Sequence, residues 1–464
     1  MLFNSEVFLL FAFIFFPLYF FAPGLKFQHS ITLVASYVFY GWWDWRFLFL
    51  IGFCTIFNFY ITQRLASKRG KSWLVFSIVV NLGILGIFKY YNFFIDQLIT
   101  MIESFGVNAH HSTLSIILPV GISFFTFQTM SYVIDVWRGK LQLQGSLLNF
   151  AVYVSLFPQL VAGPIVRASD LLPQLEVLHR FKWTNFWIGM EKVILGLVLK
   201  IVIADRLAPF VERTFDYPST FDGLGLMIGV FFFAVQIYGD FAGYSLIAIG
   251  LGKIMGLDFP VNFRRPYMAV NFSDFWRRWH ISLSSWLRDY LYISLGGNRG
   301  GKFKTNRNLM LTMVLGGLWH GAGWPFMVWG VLHGGYLVLQ RLFWPFQAKG
   351  FFSIWLSRIL VFSLVCFAWV FFRADSFQSA ISIIKGIVFA DSYSFGELRN
   401  KFQLIIAFGL ALSLLILEVF YEDSYKFRRF TRCRNVRAGF AAFLLFTLPF
   451  LGTFTGGSFV YFQF

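Results

Sequence analysis

The chain has 464 residues, of which 58% are hydrophobic and only 13% charged, and its mean hydropathy is +0.66. A soluble domain carries about 25% charged residues, so this composition excludes a cytosolic protein and requires a polytopic membrane protein. A net charge of +17 would point to nucleic acid in a soluble domain, but in a membrane protein Lys/Arg-rich cytoplasmic loops account for it, and no nucleic-acid partner is expected.

The N-terminal stretch MLFNSEVFLLFAFIFFPLYFFAPGLKF has Glu6 where a signal peptide has basic residues, and Pro17 and Pro23 interrupt its apolar run. It reads as a retained first membrane segment. Charge-free runs follow along the chain. They span Val7–Leu25, Phe47–Gln63, Ser72–Phe88, Ser112–Ile134, Leu141–Val166, Gly223–Gly239, Asn308–Gln340, Phe402–Leu417 and Ala438–Phe464. Weaker candidates are Ser30–Trp43, Val193–Leu199 and Ile359–Phe372. A spanning helix needs about 20 mainly apolar residues. The pattern therefore predicts an all-α bundle of roughly 10–12 membrane segments, several too short to cross alone. Such irregular segments persist only where protein or an internal cavity covers their backbone. No repeat or long linker divides the chain, so residues 1–464 read as one domain.

Basic stretches at Arg64–Lys71, Arg264–Arg265, Arg277–Arg278, Arg299–Arg307 and Lys426–Arg437 read as cytoplasmic loops. Three of these stretches fall within the chemically densest part of the chain, residues 262–334, which also holds three of the seven histidines. His320 stands 13 residues beyond Arg307. In a helix that distance is about 20 Å, past the middle of a hydrocarbon core about 30 Å thick. An ionisable group there faces a cavity or a partner, which favours a functional role for His320 over simple packing. Gly316, Gly317, Gly321 and Gly323 surround it. If Ser273–Tyr292 is one helix, Trp276, His280, Leu283 and Leu287 share a face, and Arg277, Ser284 and Arg288 lie on another. That pattern leaves a structural and a functional His280 equally open. His333, in VLHGG, sits in a charge-free run of 33 residues, too short for two perpendicular crossings. It reads as structural, in a hairpin or at the opposite surface. His29, His110, His111 and His179 read as solvent-facing loop residues.

Asp240 follows a charge-free run of 17 residues and is expected to pair with an arginine or with backbone amides. Asp289 follows Arg288 directly. Adjacent helical residues do not face each other, so its partner is expected elsewhere, with Arg278 or Arg167 as candidates. Cys54, Cys366 and Cys433 are too few and too far apart for a disulfide framework or a metal site and read as buried free thiols. The histidine spacing matches no zinc pattern. The chain has no P-loop, no dinucleotide fingerprint and no nucleophile elbow.

Two strings, RRWHISLSSWLRDYLYISLGGN and LGGLWHGAGW, together resemble the membrane-bound O-acyltransferase family. The likeness extends to Ile117–Gly139, Phe157–Arg167, Tyr238–Tyr267 and the terminal FVYFQF, and so covers nearly the whole chain. Within that family the strings look like the branch that O-acetylates alginate or peptidoglycan, rather than the one that transfers D-alanine. The resemblance implies a bacterial inner-membrane enzyme with an internal tunnel, whose donor is acetyl-CoA or a related thioester used as substrate, with no cofactor and no metal. It also implies a periplasmic acetyltransferase partner and a polysaccharide acceptor. His320 matches the family's catalytic histidine, and His280 its second signature position. Trp279, Trp319, Arg278, Arg288, Asp289 and Asp240 are the candidates for substrate binding. Arg277, Arg278, Arg288, Lys302 and Lys304 either attract the donor's phosphates or serve topology alone. The alternative function is a transporter or flippase. That reading calls for two related halves with matching broken helices, and no such repeat is found.

Overall fold

The structure is a computed structural model and describes residues 1–68, 70–107, 116–161, 163–343, 348–393 and 401–453. The expectations for His110 and His111, the first four residues of the run Ser112–Ile134, Ala162 and the terminal FVYFQF fall outside the described residues. Among those described, the regular structure is helical, without a strand. Helices satisfy their own backbone polar groups, which chain surrounded by lipid requires. Five of them are long and apolar enough to cross a membrane: Phe47–Ser67, Lys71–Ser104, Gly223–Met255, Phe351–Arg373 and Phe402–Asp423. Glu6–Phe20, Phe377–Val388 and Asn435–Leu451 are shorter apolar helices.

The chain divides into two compact units. The first comprises residues 1–190 and 248–260. Its helices are α1 (Glu6–Phe20), α2 (Leu25–Gly41), α3 (Phe47–Lys68), α4 (Lys71–Ser104), α5 (Ile122–Trp137), α6 (Leu147–Ser155), α7 (Phe157–Leu160), α8 (Ala168–Leu175) and the first half of α9 (Trp183–Leu197). Every residue of α5 from Ile122 to Asp135 is buried. Asn58 of α3 and Asn81 of α4 exchange amide hydrogen bonds of 3.0 and 2.8 Å beside it. Such pairs satisfy polar groups where no water competes.

Two expectations fail in this unit. The run Leu141–Val166 is not a membrane span but the short buried helices α6 and α7. Leu156 between them has ψ 111°, and Pro158 lacks the N–H that a continuous helix would need. His29 and His179 do not face solvent. His29 is buried in α2 with Nδ1 2.8 Å from Asn149 Oδ1, and the half-buried His179 has Nε2 2.8 Å from the carbonyl of Gln174. A single histidine in a polar-looking segment gives no sign in sequence of a partner more than a hundred residues away.

The second unit comprises residues 191–247 and 261–464. It holds the end of α9, a π-helical stretch at Val198–Ala204, α10 (Asp205–Asp216) and most of α11 (Gly223–Met255). Beyond these come α12 (Phe272–Arg278), α13 (Ile281–Trp286), a second π-helical stretch at Leu287–Tyr292, α14 (Gly301–His320) and α15 (Trp324–Phe343). The unit ends with α16 (Phe351–Arg373), α17 (Phe377–Val388), α18 (Lys401–Asp423), α19 (Tyr425–Arg432) and α20 (Arg434–Leu451). The basic stretch Arg299–Arg307, expected as a loop, supplies the first turns of α14. Cys433 is exposed between α19 and α20, not buried.

The helices α14 and α15 form the hairpin that the charge-free run of 33 residues allows. Glycine sets their spacing. A Cβ on Gly330 of α15 would lie 2.5 Å from the Met313 carbonyl oxygen and 2.8 Å from Val314 Cα in α14. Gly330→Ala must therefore part the two helices. The expected outcome is a destabilisation of about 1–3 kcal/mol, read as a lower melting temperature, with reduced turnover because α14 carries His320. Gly335→Ala meets no atom within 4 Å and should leave both measurements unchanged.

Candidate active site

Residues 262–334 fold within the second unit. The α14 helix is unbroken from Gly301 to His320, so the 13-residue rise from Arg307 to His320 is helical throughout. Gly321, extended at φ −158° and ψ 151°, ends the helix. The imidazole of His320 is 4% exposed. It sits edge-on among three rings: Trp319 at 4.9 Å, Trp329 at 5.1 Å and Phe372 at 5.2 Å between centroids.

The expected helix Ser273–Tyr292 does not exist as one element. Trp279 is extended and His280 left-handed, at φ 40° and ψ 56°, between α12 and α13. The face that was to join Trp276, His280, Leu283 and Leu287 is lost with it. Left-handed backbone is unfavourable for any residue bearing a Cβ and persists only where its surroundings impose it. Among the described residues, Arg265 at φ 48° is the other non-glycine in that state. Both lie in the segment that builds the site.

His280 is fully buried, with its ring against Phe241 at 4.6 Å and Trp319 at 6.2 Å. Trp319 therefore touches both candidate histidines, and it is the substrate-binding candidate that the structure brings to them. Trp279 instead lies in the aromatic core, 5.1 Å from Phe263 and 5.0 Å from Trp369. Arg278 is held by Asp274 at 2.9 Å and Glu422 at 2.9 Å. Asp289 pairs with its own neighbour Arg288, Nε to Oδ1, at 2.7 Å. The expectation that adjacent residues do not meet fails because the long arginine side chain folds back onto its neighbour. Asp240 does form the expected buried ion pair, but with Lys200 at 2.7 Å rather than with an arginine. His333 is fully buried in the hairpin against Trp276, Trp329 and Phe275. It is not at a surface.

Three anchors escaped the sequence reading. Asn262 holds the backbone around His280. Glu422 binds both Arg265 and Arg278, at 2.7 and 2.9 Å, while Glu418 accepts a hydrogen bond from the Tyr238 hydroxyl. Both glutamates lie on α18, one turn apart, so this helix fixes the segment that carries His280. Two acids interrupting a strongly apolar helix were the available signal. Arg277, Lys302 and Lys304 are exposed.

Helices long enough to cross a membrane, together with a buried site built on histidine and tryptophan, define a multi-pass membrane protein with an enclosed polar centre. Its chemistry follows from its relatives. Residues 143–384 match the family model described as MBOAT, membrane-bound O-acyltransferase family. The chain is 42% identical over 432 residues to a Pseudomonas aeruginosa protein named probable alginate O-acetylase AlgI, covering 90% of this chain and 81% of that protein. It is 34% identical to a Helicobacter pylori peptidoglycan O-acetyltransferase over 439 residues, 86% of this chain and 82% of the relative. A Streptococcus thermophilus teichoic acid D-alanyltransferase is 30% identical over 247 residues, 50% of this chain and 58% of that protein. The chain belongs to the membrane-bound O-acyltransferase family. It is an O-acyltransferase, and its relatives decide against the transporter reading.

Proposed function

We propose that the protein takes an acetyl group from a cytoplasmic thioester, acetyl-CoA or a close analogue, and delivers it across the bacterial inner membrane for O-acetylation of an extracytoplasmic polysaccharide of the alginate or peptidoglycan kind. The observation that carries this reading is the enclosure of His320 by Trp319, Trp329 and Phe372, with His280 against the same Trp319. Transfer from a thioester needs a base near the attacking hydroxyl, stabilisation of the oxyanion, and exclusion of water so that hydrolysis does not compete. A ring-lined imidazole supplies the first and the third.

In the transfer, an acceptor oxygen attacks the thioester carbonyl as its proton passes to His320. The C–S bond breaks, and the proton goes on to the leaving sulfur. If His320 is instead the transient carrier, its ring nitrogen attacks first and the acceptor oxygen displaces it. The names of the two relatives at 42% and 34% identity support acetyl as the group and a polysaccharide as the acceptor. The exposed Arg277, Arg288, Lys302 and Lys304 are suited to the donor's phosphates. An extracytoplasmic acetyltransferase partner completes the transfer.

The deciding measurement follows radiolabelled acetyl-CoA with purified protein in nanodiscs, supplied with alginate or peptidoglycan oligomers and the candidate partner. Loss of thioester with label in the oligomer is the expected result. No consumption of acetyl-CoA or of an acetylated carrier protein, with acceptor and partner both present, would overturn the donor assignment.

A further inference from the structure

His280 is a left-handed residue without glycine's freedom, and something must hold it there. Asn262 does so with both its carbonyls. Its backbone oxygen accepts the N–H of Ile281 at 2.9 Å, and two residues on the Arg264 N–H donates to the Arg278 carbonyl at 2.9 Å. Its side-chain oxygen accepts the backbone N–H of Ser282 at 3.2 Å and the Ser282 hydroxyl at 2.9 Å. The side-chain NH₂ donates to Ser245 Oγ on α11 at 3.0 Å. Asn262 itself is buried, with 1% of its surface exposed.

One further contact has chemical content. The Nδ1 of His280 lies 3.1 Å from Asn262 Oδ1. The backbone orients the Asn262 amide. The Ser282 amide can only donate, so the Asn262 atom facing it is the carbonyl oxygen and not the nitrogen. A carbonyl oxygen can only accept. The imidazole nitrogen beside it must therefore carry the hydrogen, since a bare Nδ1 would set lone pair against lone pair at 3.1 Å. The Ser282 hydroxyl lies closer to the Asn262 oxygen, at 2.9 Å, than to this nitrogen, at 3.5 Å.

We propose that Asn262 is a positioning residue that fixes neutral His280 as the Nδ1–H tautomer and so keeps Nε2 bare. Nε2 then acts as an acceptor: it orients a hydroxyl or thiol hydrogen in the enclosed site, and it cannot donate to the thioester oxygen. This narrows the role of His280. Polarising the thioester carbonyl requires a hydrogen that the neutral ring does not carry at Nε2. The oxyanion must be stabilised by other donors, while His280 orients the acceptor hydroxyl whose proton passes to His320. The inference rests on the acyl-transfer reading for its consequence, but the tautomer itself does not.

Two measurements separate these levels. The first is solid-state NMR of protein labelled with ¹⁵N-histidine, in nanodiscs, with the His280 signal identified by its loss in His280→Gln. The wild type should show a protonated Nδ1 and a bare Nε2. A protonated Nε2 would overturn the proposal whatever the activity. The second is kinetic. Asn262→Leu removes the acceptor and should lower kcat for acetyl transfer by about 10-fold or more, with the KM for acetyl-CoA within about twofold. Asn262→Asp keeps an oxygen at the same place and should retain the wild-type tautomer and most of kcat. If the leucine variant does not fold, the aspartate variant and the wild-type spectrum still decide. Equal losses in folded leucine and aspartate variants, with the tautomer unchanged in both, would reduce Asn262 to a packing role. A correct tautomer with undiminished turnover in His280→Gln would leave the assignment standing and sink the catalytic use of His280.

Discussion

His320→Ala is expected to lower the rate of thioester consumption by about 10²–10⁴-fold, the range over which a positioned acid–base group contributes, without unfolding the protein. The fold should survive because of where the residue sits. His320 is the last residue of α14, followed by extended Gly321. The helix before it is already fixed by glycine contacts with α15, and Trp329 and Phe372 pack on each other and on Trp369 as well as on the imidazole. The small cavity left by alanine is walled by rigid rings. Size-exclusion profile and melting temperature should therefore stay near the wild type while turnover of labelled acetyl-CoA collapses. His320→Gln, which fills the space but cannot take up a proton at neutral pH, should be as inactive as alanine. Undiminished turnover in either folded variant would remove His320 from the chemistry. A loss in alanine restored by glutamine would show that the ring is needed only for packing.

Legibility in the sequence was uneven for a physical reason. Membrane class, helical architecture and the hairpin that carries His320 and His333 follow from apolar runs and from charge position, which are local properties. The break at Trp279–His280 is not local. The segment SDFWRRWHISLSSWLRDY contains neither glycine nor proline, so helical periodicity was the reasonable extrapolation. It fails because a remote residue, Asn262, captures the N–H groups of Ile281 and Ser282. The same holds for Glu422, whose two arginines lie about 150 residues earlier in the chain. Polar hubs of this kind are invisible to periodicity. The run Leu141–Val166 shows the converse error, since apolar sequence marks burial and cannot by itself tell lipid from protein interior. Here the resemblance to a family pointed to the candidate site, and the structure shows what holds its residues in place.

The largest expected effect on stability lies away from the histidines, at Lys200. Its ammonium is 2.8 Å from Asp205 Oδ1 and 2.7 Å from Asp240 Oδ1, with side-chain exposures of 1%, 9% and 1%. The lysine stands in the π-helical stretch Val198–Ala204, facing α11 where Gly239 and Gly243 flank Asp240. A Cβ at Gly243 would lie 2.7 Å from the Gly196 carbonyl and 3.1 Å from the Lys200 nitrogen, so glycine is what lets the two backbones come close enough for the ion pair. Lys200→Met keeps the length and apolar volume of the side chain but strands two buried carboxylates beside each other. Removing one partner of a buried pair is destabilising by about 3–5 kcal/mol, whereas replacing the whole group by neutral side chains is often neutral or better. Lys200→Met should thus lower the melting temperature by roughly 10 °C and depress the yield of monodisperse protein. The triple variant Lys200→Met/Asp205→Asn/Asp240→Asn should recover most of that loss. Its turnover then decides the status of the triad. Recovered stability with wild-type turnover makes the triad a structural tie between the π-helical stretch and α11, while recovered stability without turnover gives at least one of the three groups a part in the reaction. A Lys200→Met variant as stable as the wild type would show that the ion pairs contribute nothing that packing does not already provide.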